Sequence, residues 1–254
     1  MSVLLFEWRR ISTLRSTWIL SVIAILQAVL ILNLPFLLAE VPESATATSL
    51  NDVMPLVIIP VFIIFMSTIV AAAFGHDYRH GTIRTSLSLF PNRFELLFGR
   101  VVVAFLFTFV IYVVTILAIV ATIYAWSSVS GGLQWASFWP AFLRGLLYMT
   151  IYNLGVIAVV MMTRIQALGI VAPLMMSLAV ENIVLLTLGN RYAWLGEYFP
   201  YSQGLNWALG FSNDFAANSG TVTDVFTSMP PSFLISQIVL FGFATFLFQK
   251  RDTS

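Results

Sequence analysis

The strongest constraint on this chain is the run VVVAFLFTFVIYVVTILAIVATIYAW at residues 101–126, which carries no charged side chain. A helix with no polar face cannot lie on a water-washed core. A helix of roughly 20 apolar residues does cross the hydrocarbon of a bilayer. The pattern recurs at about 17–39, 54–74, 137–162, 167–189 and 232–248, giving six spans by the same length rule. The last is short, but Phe233 to Phe248 contains no charge.

Composition agrees. The chain is 59% hydrophobic and 9% charged, whereas soluble domains carry about 25% charged residues. A large soluble domain is therefore excluded, and one all-α, polytopic transmembrane domain over residues 1–254 is expected. With no cysteine, disulfides, thiolate metal sites and thiol nucleophiles are excluded. The first apolar run is too long, and too poor in small residues at its end, for a cleaved signal peptide, so it is expected to be retained. No internal repeat supports an inverted-repeat carrier.

Basic residues orient the spans. With a cytoplasmic N-terminus, the inner segments hold Arg9, Arg10, Arg15, Arg79, Arg84, Arg93, Arg100, Arg164, Lys250 and Arg251. Only Arg144 and Arg191 fall toward the outside, while Glu40, Glu43, Asp52, Glu197, Asp214 and Asp224 sit in outer segments. Both termini are expected in the cytoplasm.

Residues 3–16 read VLLFEWRRISTLRS. Leu4, Leu5, Trp8, Ile11 and Leu14 fall at helical spacing, with Glu7, Arg10 and Ser12 projecting elsewhere. This is an amphipathic helix suited to the headgroup layer. It serves either as a positive-inside anchor or as an elbow that also packs against a cytoplasmic partner, with Glu7, Trp8, Arg9, Arg10 and Arg15 as its polar and aromatic contacts.

The segment GHDYRHGTIRTSLSLFPNRFELLFGR, 75–100, is the one dense polar loop. Helix connectors are usually about 2–8 residues, so its length and arginines read as a partner contact rather than a solvated basic connector. Arginine donates well to helix C-termini and acidic grooves, and Gly81 allows the backbone to turn. No phosphate-binding Gly-x-x-x-x-Gly-Lys-Ser/Thr string occurs, and the only lysine is Lys250. If ATP is spent, another polypeptide spends it. His76 and His80 lie four apart with Asp77 between them, but two ligands without a third make a poor metal site, and no metal is expected. No Ser/His/Asp set or carboxylate pair in a common pocket suggests an enzyme.

The strings FEWRRISTLRSTW (6–18) and Arg79-x-Gly81-Thr82-x-Arg84, followed by Pro91 and Arg93, resemble the permeases of second-type ATP-binding cassette exporters, whose fold is called type V. The resemblance covers the whole chain. Asp77 stands where that family often has Glu, and Arg100 where it often has Lys. The resemblance implies an elbow helix, six spans, and a coupling helix after the second span. That helix, with His76, Asp77, Tyr78, Arg79, His80, Gly81, Thr82 and Arg84, would dock on a cytoplasmic ATPase carrying ATP and Mg. It also implies a homodimer or heterodimer of permeases in the bilayer, and a substrate path at the dimer interface. No cofactor on this chain and no nucleic-acid partner are expected. An amphipathic or hydrophobic cargo (a drug, antimicrobial peptide or lipid) fits the apolar spans. Arginine-rich, lysine-poor usage points to a high-GC bacterium, and the expected location is a bacterial plasma membrane. The rivals are an ATP-independent channel or carrier and a non-transporting accessory subunit.

Two ionisable residues fall within spans, where charge is costly. Arg144 and Glu181 each lie about seven residues from an outer end, roughly 10 Å deep at 1.5 Å per residue. They are expected to pair or to line a polar cavity, extended by Asn153 and Asn182; alternatively Arg144 snorkels to the headgroups. Pro35, Pro55, Pro60 and Pro173 favour kinks, with no hinge role assigned. The segment 190–231 is too long for a connector. Its stretch 194–211 suits re-entrant or interfacial helices. Trp194, Tyr198, Phe199, Tyr201 and Trp207 suit an aromatic belt, while the resemblance implies small helices here that dip into the outer leaflet and cap the exit path as an outer gate; 212–231 is expected to be a polar, mobile outer loop.

Overall fold

The computed structural model describes residues 3–38, 47–81, 92–126, 135–188, 191–192, 194–209 and 222–251. Among these, all regular structure is helical: α1 (Val3–Thr13), α2 (Arg15–Leu38), α3 (Ala47–His80), α4 (Arg93–Trp126), α5 (Trp135–Thr163), α6 (Gln166–Met175), a π-helical turn (Met176–Val180), α7 (Glu181–Leu188), α8 (Leu195–Tyr198), α9 (Pro200–Leu209), α10 (Val222–Thr227) and α11 (Pro231–Arg251).

Four described helical segments are long and apolar enough to cross a membrane: Arg93–Thr122, Phe138–Thr163, Gln166–Leu188 and Pro231–Lys250. A fifth is reached if Val3–Thr13 and Arg15–Ile31, bent by 70° at their junction, count as one. This is consistent with a multi-pass membrane protein. Four of the six expected spans are thus met directly. Over the other two, the backbone is helical through α2 and α3, including Pro35, Pro55 and Pro60.

The core is built around α5. Tyr148, Tyr152, Val156, Ile157, Ala158 and Val160 are essentially inaccessible on it, and it packs against α3, α6 and α11. By contrast α2, α4 and α11 keep exposed apolar faces, such as Trp18, Ile19, Val22 and Leu26 on α2. That is the surface hydrocarbon would cover.

The bend between α1 and α2 has a local cause. The Ser12 and Thr13 hydroxyls donate to the carbonyls of Arg9 and Arg10 at 3.1 and 3.0 Å, and Trp18 Nε1 donates to the Ser12 carbonyl at 2.7 Å. Side chains thereby satisfy carbonyls that a continuing helix would have used. Within the apolar segment Gln166–Leu188, made of α6, the π-helical turn and α7, Pro173 removes an amide donor and the π-helical turn follows three residues later.

Two expectations about polar segments are corrected here. The stretch 75–100 is mostly not loop: α3 continues to His80 and α4 begins at Arg93, leaving 81–92 between them. Nothing before Gly81 breaks the helix. Gly81 has φ +66, the left-handed conformation that ends helices and that glycine adopts at little cost. The Asn92 side chain then accepts from the Glu95 amide at 3.4 Å, opening α4 with Glu95 in its first turn. The second correction concerns 212–231. Residues 222–227 form α10, with Val225 fully buried; 210–221 lie outside the described residues.

Candidate functional site

At the end where α3 stops and α4 starts, four charged side chains from three helices close on one another. Arg100 donates to Glu7 Oε1 through Nε at 3.2 Å and Nη2 at 3.0 Å. Its Nη2 also lies 2.7 Å from Asp77 Oδ2. Arg10 Nη1 donates to the same Asp77 oxygen at 2.6 Å, and Arg10 Nε sits 3.4 Å from Glu7 Oε2. Arg10 Nη2 donates to the Ala73 carbonyl. Two guanidinium groups and two carboxylates thus form a neutral ring. Glu7 is 0% exposed, Asp77 3% and Arg100 4%. The Phe74 ring closes one side, with the Arg100 guanidinium carbon 5.9 Å from its centroid. Burial and then Arg100 push the Arg10 pKa down from its ordinary value, while Glu7 and Asp77 push it back up.

The local sequence explains the ring. Val3, Glu7, Arg10 and Ile11 share one helical face, and that face is turned inward against α4. Contact is close: a Cβ on Gly99 would meet Val3 Cγ1 at 2.6 Å. Leu4, Leu5 and Trp8 are exposed, as a face turned to the headgroup layer would be, but Ile11 of the same set is buried, and Glu7, expected to project elsewhere, is fully buried. Acid and base on one face can be buried because each finds a partner on another helix. Trp8 and Trp18 both meet Phe107 edge-on, with centroids 6.0 and 5.9 Å apart. Arg9 and Arg15 are exposed and stand outside the ring.

The other residues of the expected contact divide by face. His76, Arg79, His80 and Gly81 are exposed, Tyr78 is half-buried, and Asp77 belongs to the ring. The His76 and His80 rings lie 4.3 Å apart. Partial desolvation and then His80 lower the His76 pKa from its ordinary value. Among the described residues no group of three or more His, Asp and Glu could hold a metal. Thr82 and Arg84 lie outside the described residues.

Toward the other end, Glu181 does not pair with Arg144. Its Oε1 accepts from the Tyr201 amide at 3.1 Å and its Oε2 from the Ser202 amide at 2.5 Å. Among the described residues no ion pair joins Glu181 to Arg144, whose Nε donates to the Pro140 carbonyl at 3.4 Å. The reason is geometric. Pro200 starts α9 with no donor of its own, and the next two amides point out of the helix unused. A carboxylate there meets both hydrogen-bond donors and the positive end of the helix dipole. Asn182 is exposed and donates to the carbonyls of Leu178 and Ser177 at 3.0 and 3.3 Å, on its own helical stretch. Asn153 is buried, 2% exposed.

The aromatic set also divides. Trp194 and Tyr198 are exposed, with centroids 5.9 Å apart; Phe199 is half-buried. Tyr201 and Trp207 are core. Trp207 Nε1 donates to Ser228 Oγ at 3.1 Å. Tyr201 meets Tyr152 edge-on at 5.6 Å, and Tyr148 stacks on Phe233 at 5.2 Å. A Cβ on Gly204 would fall 2.7 Å from the Phe233 ring, so α9 sits directly on α11. Sequence reasoning missed Tyr148, Tyr152 and Gln237, which are buried with Glu181 at this end. Each stands in an apolar run with no local signal of a polar partner.

Comparison with protein-family models and with curated protein sequences gives no match.

Proposed function

We propose that this chain is the membrane permease subunit of an ATP-driven exporter. A separate cytoplasmic ATPase would supply the energy, and an amphipathic or hydrophobic substrate would move outward. The observation that carries the reading is the buried ring of Glu7, Arg10, Asp77 and Arg100. It ties α1 to the two helix ends that bracket residues 81–92. A push on that short link would reach α3, α4 and α1 together, because the ring resists their separation. Exposed His76, His80 and Gly81 border the link and would contact the ATPase, with Thr82 and Arg84 inside it. The sequence given carries no phosphate-binding loop, and in this reading ATP and Mg sit on the partner chain.

In this reading α2 and α3 supply the first two of six spans, α1 is the elbow, and both termini are cytoplasmic in a bacterial plasma membrane. Helices α8 and α9 dip into the outer leaflet. Two permease copies enclose the substrate path, and this chain performs no catalysis of its own.

The test is affinity purification from native membranes, with ATP-binding cassette ATPases identified by mass spectrometry and ATP-driven transport assayed in vesicles. Wild type is compared with Gly81→Trp plus Arg84→Glu. The reading expects an ATPase with wild type, and loss of both the complex and transport in the variant, with thermal stability retained. An unchanged complex would reduce 81–92 to a basic connector and favour a carrier or an accessory subunit.

A further inference from the structure

A cleft of about 430 Å³ opens between the end of α3 and the start of α6, lined by Gly75, Arg79, Arg164, Gln166, Ala167 and Ile170. Three of its features favour an anion. Arg79 and Arg164 both form its wall and are exposed. Arg164 lies over the Tyr78 ring, its guanidinium carbon 5.9 Å from the centroid, which holds that charge against α3 beside Arg79. The first turn of α6 has no side-chain cap: the residue before it, Ile165, is extended and makes no capping bond, so the dipole's positive end faces the cleft.

Arg164 also has φ +60 and is the one non-glycine residue with positive φ among those described. Glycine or asparagine adopts that conformation more readily. An arginine held there directs inference toward what its side chain does. The approach of the two helices is fixed, since a Cβ on Gly75 would come within 2.6 Å of Gln166 Cβ.

The surroundings select among anions. From the cleft an exposed apolar stripe, Leu168, Val171 and Met175, runs along α6 at spacings of three and four residues. A soluble phosphate has no use for that stripe, whereas an acyl chain does. We propose that the cleft binds the phosphate of an anionic phospholipid, with Arg79 and Arg164 on the headgroup and an acyl chain along Leu168, Val171 and Met175. Basic pockets between membrane helices at the headgroup level suit such lipids. The proposal needs the chain to lie in a bilayer, but not the ATPase partner, so either reading can fail without the other.

The test uses purified protein in neutral detergent. Dioleoylphosphatidylglycerol is titrated against dioleoylphosphatidylcholine, with inorganic phosphate and glycerol phosphate as soluble probes, read by native mass spectrometry and thermal shift. Phosphatidylglycerol is expected to bind and raise Tm where phosphatidylcholine does not. Arg79→Gln and Arg164→Asn should each weaken it about fivefold, the effect of one basic residue near a lipid surface. Asparagine suits the left-handed backbone, so Arg164→Asn removes charge without adding strain. Leu168→Gln plus Val171→Gln should weaken the lipid and leave any soluble phosphate binding unchanged. Equal binding of the two lipids, or unchanged affinity in both arginine variants, overturns the proposal. Protection by inorganic phosphate equal to that by the lipid overturns the lipid assignment and leaves a small-anion site. A variant that loses Tm in phosphatidylcholine is replaced by Arg164→Lys, which keeps the charge and should retain binding; loss of binding there overturns the charge argument.

Discussion

The two ends of the bundle bury carboxylates by different means. At the α3–α4 end, Glu7 and Asp77 are neutralised by Arg10 and Arg100 from other helices. At the opposite end, Glu181 is held by two backbone amides of α9. A charge ring draws its members from residues far apart in sequence and fastens whole helices to one another. An amide cap fastens one short helix and needs no countercharge. The first arrangement fails wholesale when a member is lost, because the remaining charges stay buried. The second fails locally, because the freed amides belong to a helix that can shift toward water.

That contrast sets the order of effects. Asp77→Ala should be the most damaging change, since both arginines lose a shared acceptor. Breaking a buried charge set costs about 3–5 kcal/mol, and the loss is read by thermal or denaturant unfolding in detergent. Equal stability of Asp77→Ala and wild type would break the ring picture at this end. Glu181→Ala should cost less, about 1.5–3 kcal/mol in all, because α9 can relax and its two freed amides regain other partners. Hydrogen exchange should rise first at Tyr201 and Ser202 and not at α3 or α4; protection lost throughout the bundle would erase the distinction between the ends. Smallest is the interaction of Arg144→Gln with Glu181→Gln. Their effects on Tm-derived stability should add within about 0.5 kcal/mol, because the two side chains hold different partners. A larger interaction would restore the ion pair that the sequence suggested.

Much of this architecture is legible in the chain, and the failures are instructive. Apolar runs with no charge announce helices 101–126 and 232–248 because hydrocarbon length leaves few alternatives. The inner face of α1 was not legible. Headgroup logic sends Glu7 and Arg10 to water, and their partners Asp77 and Arg100 lie 67 to 93 residues away in the chain. Segment 75–100 reads as loop because it is polar, yet polar residues extend α3 and α4 beyond their apolar cores until Gly81 stops the first. Glu181 and Arg144 invite pairing by depth alone. The unused amides after Pro200 are a competitor that depth cannot reveal, although Pro followed by a helical stretch marks where such donors lie. Tyr201 and Trp207 look like belt residues by composition, but the close seat of Gly204 on Phe233 draws their helix into the core.

The most direct measurement of the central claim is a double-mutant cycle on Glu7→Gln and Arg100→Gln, read by unfolding in detergent. The two residues sit on α1 and α4, and their bonds are what unite the helices around residues 81–92. The account predicts that the double variant is more stable than the sum of the single losses implies, with an interaction above about 1 kcal/mol. Simple additivity would contradict it, and with it the view that α1 moves as one body with the ends of α3 and α4.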